Sequence, residues 1–548
     1  MASSSPGRSR GAWVPGREGL GNPRRRLVLV LVVGATLVAV GLRLEEVLRP
    51  GHLLGVVQYD DSVYLGAAIR ILAGNLPYRD FTLIQPPGLP LLLTPIAALS
   101  HWIGTRGAMG TARILVPVVA GADVLLLGWI LRHRSPLVAG VACFALAAYP
   151  DDLLSAQTVY QEPFLNLLCL LGAALLFETD TITFSRRRLL WAGVAFGLAG
   201  AVKLWAIFPV LVLLLLLRRT PGRALSLVLG SLFAFLVVCS PFLVISAGPF
   251  IHQVLVSQAV RVDLNRVPLA VRLVMITGVV ITNVTAVTLT QRKLGLGVAA
   301  ALTAFLVAVF VGFPRVAQGG VRVSSGWWRR RRTTQLESYA LGALLITVLA
   351  LMIPDDFYFH YATFLGPFLV MALGLAAGRL EPALPEIAYG AAALILMGAL
   401  LHAALVARGV SSAPDPALAL DRLIPRGACV ITDNPAYLIA SDRYLGGPRC
   451  PPLVDPYGTT IASSGGLVAN GGAARSLPAV KTWIGYFRAA QFLLLTPASG
   501  VRIPWDRTLE SYVHAHFTLI ATQPALILRR APEEPSRRGY SLITLAGA

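Results

Sequence analysis

Long apolar blocks separated by short polar or basic loops fill the chain from residue 27 to residue 406. A helix needs about 20 apolar residues to cross a bilayer, so each block of that order predicts a span. Residues 27–42, 112–131, 136–149 and 162–177 predict the first four. Block 189–217 is too long for one span and is interrupted by Lys203, which predicts two short spans with the lysine at their hairpin tip. Residues 224–245, 294–313, 339–353, 362–377 and 387–406 complete an expected total of roughly 11 spans.

Two further blocks are read as non-crossing. A crossing at 88–103 would put the basic loop Arg132-His133-Arg134 on the wrong side, so a juxtamembrane or re-entrant helix is expected there. Block 267–289 carries Arg272 and receives the same reading, which keeps Arg329 to Arg332 with the other basic loops. Between Asp61 and Leu72, the apolar Val63, Leu65, Ala68, Ile69 and Leu72 stand apart from Ser62 and Arg70. That pattern predicts a helix lying along the membrane interface, with Asp60 as its N-cap.

After Ser411 the pattern changes. Cys429-Val-Ile-Thr-Asp433, Phe492-Leu-Leu-Leu-Thr496 and Ala525-Leu-Ile-Leu-Arg529 predict short buried strands, separated by loops such as Gly446-Gly-Pro-Arg-Cys-Pro-Pro452. The expected fold is a polytopic α-helical membrane protein with a small extracytoplasmic α/β C-terminal domain. Its parts are a basic cytoplasmic tail over 1–26, a transmembrane domain over 27–406 whose first outer loop is 44–111, and the α/β domain over 407–548.

Composition agrees: 55% of residues are hydrophobic and 14% charged, against about 25% charged in soluble domains. The net charge of +20 resides largely in clusters such as Arg24 to Arg26, Arg132 to Arg134 and Arg186 to Arg188. Their place between apolar blocks marks cytoplasmic loops in a plasma membrane rather than nucleic-acid binding. No small-x-small cleavage site follows the first apolar block, so an uncleaved anchor is expected. Cys143, Cys169 and Cys239 fall in apolar blocks, whereas Cys429 and Cys450 fall in the C-terminal part, where an oxidising compartment would allow a disulfide. There is no internal repeat, phosphate-binding loop, dinucleotide fingerprint or zinc-ligand spacing.

With the tail inside, four polar features share the outer face: Asp60 and Asp61, Glu162 in Gln161-Glu-Pro163, Lys203, and the stretch from Asp355 to Tyr361. Acidic side chains beside a bilayer are costly and point to function; a helix cap is the plain alternative for Asp60. Three segments carry a resemblance: Asp-Asp-x-x-Tyr-Leu-x-x-Ala from Asp60, Leu-Ala-Gly-Asn-Leu-Pro-Tyr-Arg-Asp-Phe ending at Phe81, and Pro-Pro-Gly from Pro86. Together they resemble the first outer loop of GT-C glycosyltransferases, in the protein-mannosyltransferase-like branch that includes the bacterial aminoarabinose transferases. Glu162-Pro163, Gly197-Leu-Ala-Gly-Ala-Val-Lys203 and His360-Tyr361 before Pro367 extend the resemblance over most of 27–406.

The resemblance implies a glycosyltransferase that moves a sugar, with inversion, from a polyprenyl-phosphate donor to a glycan, lipid or protein acceptor outside the cytoplasm. It implies Asp60 as the general base, with Asp61 and Glu162 as supporting or acceptor-orienting acids. Lys203, Arg79 and His360 become donor-phosphate ligands. Arg79 pairing with Asp80, a snorkelling Lys203 and a structural His360 among aromatics are the plain alternatives. Asp355 and Asp356 read as solvated loop charges. In the aminoarabinose transferases an acidic residue before the Pro-Pro pair contributes to a metal site; here that position is Gln85, a poor ligand for a divalent cation. No cofactor is assigned, and Gln85 argues against dependence on a divalent metal. A transporter or flippase for a lipid-linked or small polar substrate is the second reading, and a non-catalytic assembly protein the third. Charges gathered at span ends rather than along a path disfavour the transporter.

Overall fold

The computed structural model describes residues 23–531 except 262–266, 279–287, 314–332, 355–356, 410–414, 416, 470–471 and 524–525. The cluster at Arg329 to Arg332, the pair Asp355 and Asp356, and most of the basic tail lie outside the described residues.

Ten helices cover the first half: α1 (Pro23–Val47), α2 (Asp60–Leu72), α3 (Gly88–Ala98), α4 (Ser100–Leu131), α5 (Pro136–Ala147), α6 (Pro150–Ser155), α7 (Gln161–Leu176), α8 (Arg186–Val202), α9 (Ile207–Leu217) and α10 (Pro221–Ile251). Helices Leu269–Ile276, Leu289–Gly312, Gln335–Leu351, Gly366–Leu380 and Pro385–Gly409 follow. Among the described residues, five helical stretches are long and apolar enough to cross a membrane: Pro23–Val47, Ser100–Leu131, Pro221–Ala259, Leu289–Gly312 and Phe359–Leu380. Shorter apolar helices, such as Gln161–Leu176 and Gln335–Leu351, pack among them. The chain is a polytopic helical membrane protein.

Within the two blocks read as non-crossing, the described residues form the helices α3, of 11 residues, and Leu269–Ile276, of 8; residues 279–287 of the second block lie outside the described residues. Arg272 lies in the second helix: it is fully buried and donates to the carbonyls of Val267, Leu351 and Met352, capping a neighbouring helix end rather than meeting lipid.

The helices α8 and α10 cross in close contact. A Cβ at Gly197 would lie 2.1 Å from the Ser231 carbonyl oxygen, so the Gly-Leu-Ala-Gly run before Lys203 is a contact surface of small residues. The basic loops meet at one end of the bundle. Arg134 pairs with Asp180, Arg188 with Glu178 at 2.6 Å, and Arg223 donates to the carbonyls of Ile182 and Thr183.

The C-terminal part holds a four-stranded mixed sheet in the order β1-β2-β4-β3. Strands β1 (Val430–Thr432) and β2 (Phe492–Leu495) are parallel; β4 (Leu526–Arg530) runs antiparallel to β2 and to β3 (Thr518–Gln523). The three expected strands are present, and β3 is an addition. Cys429 and Cys450 are joined in a disulfide.

One expectation is overturned. Helix α2 does not lie along a membrane interface: residues 61 to 70 are buried, between α3, α4 and the C-terminal domain. Its small residues Gly66, Ala67 and Ala68 admit the overlying chain. Arg70, its expected polar face, stacks on the Tyr444 ring at 4.8 Å and donates to the Tyr444 carbonyl. The domain is further bound to the start of α4, where Asp442 accepts from Thr105 Oγ1 and the Arg106 backbone N–H.

Candidate active site

Asp60 opens α2, but it is not the N-cap. Tyr59 takes that position with helical φ/ψ, and no side chain caps the helix. The expectation of a capping aspartate is therefore corrected: Ser62 N–H is already satisfied by the Tyr59 carbonyl. The Asp60 carboxylate makes no hydrogen bond to any described residue and instead lines a cavity of ≈ 270 Å³. Burial, reinforced by the carboxylates of Glu162, Asp455 and Asp61 and opposed by His360, pushes its pKa up to about 6.

Asp61 turns the other way. It is fully buried, pairs with Arg113 and accepts the Val159 backbone N–H. Arg113 also holds the carbonyls of Leu53 and Gly55, so this pair fixes the loop that enters α2.

Glu162 begins α7 and is buried behind the cavity wall. One carboxylate oxygen pairs with Lys203 Nζ; the other lies 3.1 Å from His360 Nδ1. Lys203 occupies the break between α8 and α9, in extended backbone followed by a short turn, as the interrupted apolar block predicts. It is 4% exposed, with its ammonium 3.8 Å from the Trp205 ring centre and 4.4 Å from that of Tyr361. It does not snorkel to a surface. Two features hold this break in place. Gln161 Nε2 donates to the Val202 carbonyl at 2.6 Å, and a Cβ at Gly88 would come within 2.5 Å of the Ala201 carbonyl oxygen. The Pro-Pro-Gly motif thus lets the outer loop close on the Lys203 turn.

His360 lines the cavity, stacked on Tyr160 at 4.3 Å. Arg79 does not. It pairs with Asp80 at 2.8 Å on a half-exposed surface, and Asp80 caps the Leu76 N–H. The Asn-Leu-Pro-Tyr-Arg-Asp-Phe segment is a folded loop whose Tyr78 hydroxyl donates to the Gln85 carbonyl.

The cavity also contains residues that the sequence reading missed. Arg261 donates to the hydroxyls of Tyr457 and Tyr358 at 2.6 and 3.2 Å. Asp455, the N-cap of helix Pro456–Ser464, accepts the Tyr59 hydroxyl at 2.7 Å. Arg502 lies 4.4 Å from the Tyr59 ring centre. Burial raises the Asp455 pKa above the usual carboxylate range, against the pull of the Gly458 N–H, Tyr59 and the two arginines. The only local signal in the sequence was Asp455-Pro456, which reads as an ordinary helix start.

A second cavity of ≈ 380 Å³ adjoins the first. Gln85, Lys203, Arg261 and Tyr361 line both, and Leu204, Trp205, Val254, Ala259, Ile353 and Pro354 make the second largely apolar. Among the described residues no three His, Cys, Asp or Glu side chains converge as a metal-binding group. Glu162 is engaged by Lys203 and His360 and position 85 is an amide, so the residues at this wall do not fit the metal site that the fold family implies.

No protein-family model matches the chain, and no curated protein matches it. Solved structures do. ArnT from Cupriavidus metallidurans bound to undecaprenyl phosphate aligns over 91% of this chain and 97% of its own, at 15% identity and a TM-score of 0.57. Its apo form aligns over the same shares at 14% identity and the same score. The arabinofuranosyltransferase AftD from Mycobacteria aligns over 93% of this chain and 40% of its own, at 14% identity and a TM-score of 0.50. The chain has the GT-C fold of these membrane glycosyltransferases.

Proposed function

We propose that the protein is a membrane glycosyltransferase that transfers a sugar, with inversion, from a polyprenyl-phosphate donor to an extracytoplasmic glycan, lipid or protein. The observation that carries this reading is the Asp60 carboxylate, free of hydrogen-bond partners among the described residues, in a cavity that shares Lys203 and Arg261 with an adjoining apolar cavity.

The chemistry follows from the groups available. The donor phosphate sits against Lys203 and Arg261, its polyprenyl chain leaves through the apolar cavity, and its sugar projects toward Asp60. The acceptor hydroxyl attacks the anomeric carbon as Asp60 takes its proton; a new C–O bond forms, the bond to phosphate oxygen breaks, and the electron pair leaves on the phosphate. A phosphate is a good leaving group, so cations that stabilise its charge suffice and no general acid is required. Glu162 acts through others, holding Lys203 and His360 at the wall. No step is routed through a metal.

The bundle is read as having eleven crossings: α1, α4, α5, α7 to α10 and the helices Leu289–Gly312, Gln335–Leu351, Gly366–Leu380 and Pro385–Gly409. The basic loops are cytoplasmic, and the cavity and C-terminal domain lie outside. Incubating purified protein with a panel of polyprenyl-phosphate pentoses and hexoses, and scoring donor consumption and product linkage, tests the activity. Failure to consume any donor in the presence of mixed cell-envelope acceptors would sink the reading.

A further inference from the structure

Asp455 belongs to the C-terminal domain, yet it faces the same cavity as Asp60. It is 3% exposed, and both of its hydrogen bonds use one oxygen: Oδ1 accepts the Gly458 N–H at 2.8 Å and the Tyr59 hydroxyl at 2.7 Å. Among the described residues Oδ2 has no hydrogen-bond partner. A carboxyl oxygen of a largely buried residue, left unbonded at a cavity wall, is open to a donor from the cavity's occupant.

Its surroundings are built rather than incidental. Tyr59 is held by donating to Asp455 while accepting the Tyr457 backbone N–H at 3.0 Å. Arg502, stacked on Tyr59, bonds Asp433 at 3.0 Å, and Asp433 in turn accepts the Thr496 N–H at 2.7 Å. Asp433 and Thr496 follow the carboxyl ends of the parallel strands β1 and β2, the edge at which open α/β sheets place ligands. We infer that the C-terminal domain completes the active site, with Asp455 Oδ2 accepting a hydroxyl of a neutral carbohydrate acceptor and Tyr59 and Arg502 positioning it.

This inference rests on the glycosyltransferase reading and narrows its acceptor. Lys203 and Arg261 line both cavities and serve the donor phosphate where the two meet. Asp60, Asp455, Tyr59, Tyr64 and Arg502 line only the first cavity; Arg502 is paired with Asp433 at 3.0 Å, and the others offer carboxyl oxygens, phenols and ring faces. That set suits sugar hydroxyls and C–H faces and repels a phosphorylated acceptor.

The test uses full-length protein in nanodiscs and the Asp455→Asn variant, which keeps an oxygen for the two observed bonds and changes only the second atom. Binding is measured for neutral pentose and hexose trisaccharides, for the same trisaccharides carrying a phosphomonoester, and for undecaprenyl phosphate. The wild type is expected to bind at least one neutral trisaccharide, at least tenfold tighter than its phosphorylated form. Asp455→Asn is expected to lose at least tenfold in neutral affinity and to narrow that discrimination, with undecaprenyl phosphate bound as before. Unchanged neutral affinity in the variant, no neutral trisaccharide bound, or equal binding of the phosphorylated form would overturn the acceptor assignment. Wild-type protein that binds a neutral trisaccharide but no undecaprenyl phosphate would overturn the donor reading and leave Asp455 supported as a carbohydrate ligand.

Discussion

Asp60 and Asp61 are neighbours in sequence with opposite fates: Asp61 is sealed against Arg113, while Asp60 faces the cavity without a hydrogen-bond partner among the described residues. Exchanging each for asparagine separates catalysis from folding. Asp60→Asn is expected to lower transfer by about 10²- to 10⁴-fold, the usual worth of a positioned base, with normal yield of folded protein. Asp61→Asn strands a buried guanidinium and is expected to cost about 3–5 kcal/mol. Detergent-solubilised melting curves and transfer assays on the same preparations check both; full transfer by the Asp60 variant removes it as the base.

The pKa of about 6 at Asp60 gives the pH profile its sign. A base works when deprotonated, so kcat/KM should rise with unit slope up to about pH 6 and level off above it. Stability runs the other way. The folded-state value lies above the ordinary 3.8, so the unfolded chain ionises first and stability falls as pH rises from about 4 to 6. Above that window Asp60→Asn should be more stable than wild type, by about 1–3 kcal/mol after allowing for partial exposure. Melting temperatures at pH 4 and pH 8 test this, with a larger gain for the variant at pH 8 as the expected outcome.

Arg79 resembles the family's loop as closely as Asp60 does, but it pairs with Asp80 away from both cavities. Exposed pairs contribute little, about 0–1 kcal/mol. Arg79→Ala should therefore leave donor KM within about threefold of wild type. A loss comparable to that of Lys203→Ala would return Arg79 to the donor site.

How much was legible from sequence differs by element. The break at Lys203 was readable because a charge interrupts an apolar block. The burial of α2 was not. Its apolar stripe reads as an interfacial helix, and nothing nearby reveals that Tyr444 will cover Arg70. Asp455 was hidden for a similar reason: its bond to Tyr59 spans 396 positions, and contacts of that separation leave no periodic trace. The disulfide partners could be named from compartment logic, but the pairing required the fold.

Glu162 gives the last prediction, because it holds two cavity-wall residues at once. Removing its charge by Glu162→Gln leaves Lys203 buried between Trp205 and Tyr361 without its counter-ion and frees the His360 ring. Breaking one partner of a buried pair costs about 3–5 kcal/mol, so Glu162→Gln, which strands Lys203, and Lys203→Met, which leaves the Glu162 carboxylate only His360, should both destabilise. The double variant should recover part of the loss, with a coupling of about 1–3 kcal/mol. Activity should separate the two residues differently. Lys203→Met is expected to raise donor KM at least tenfold by removing a phosphate contact, whereas Glu162→Gln should lower kcat and raise donor KM together because both wall residues shift. A thermodynamic cycle with additive stabilities, or a Lys203 variant with unchanged donor KM, would separate Glu162 from the donor site.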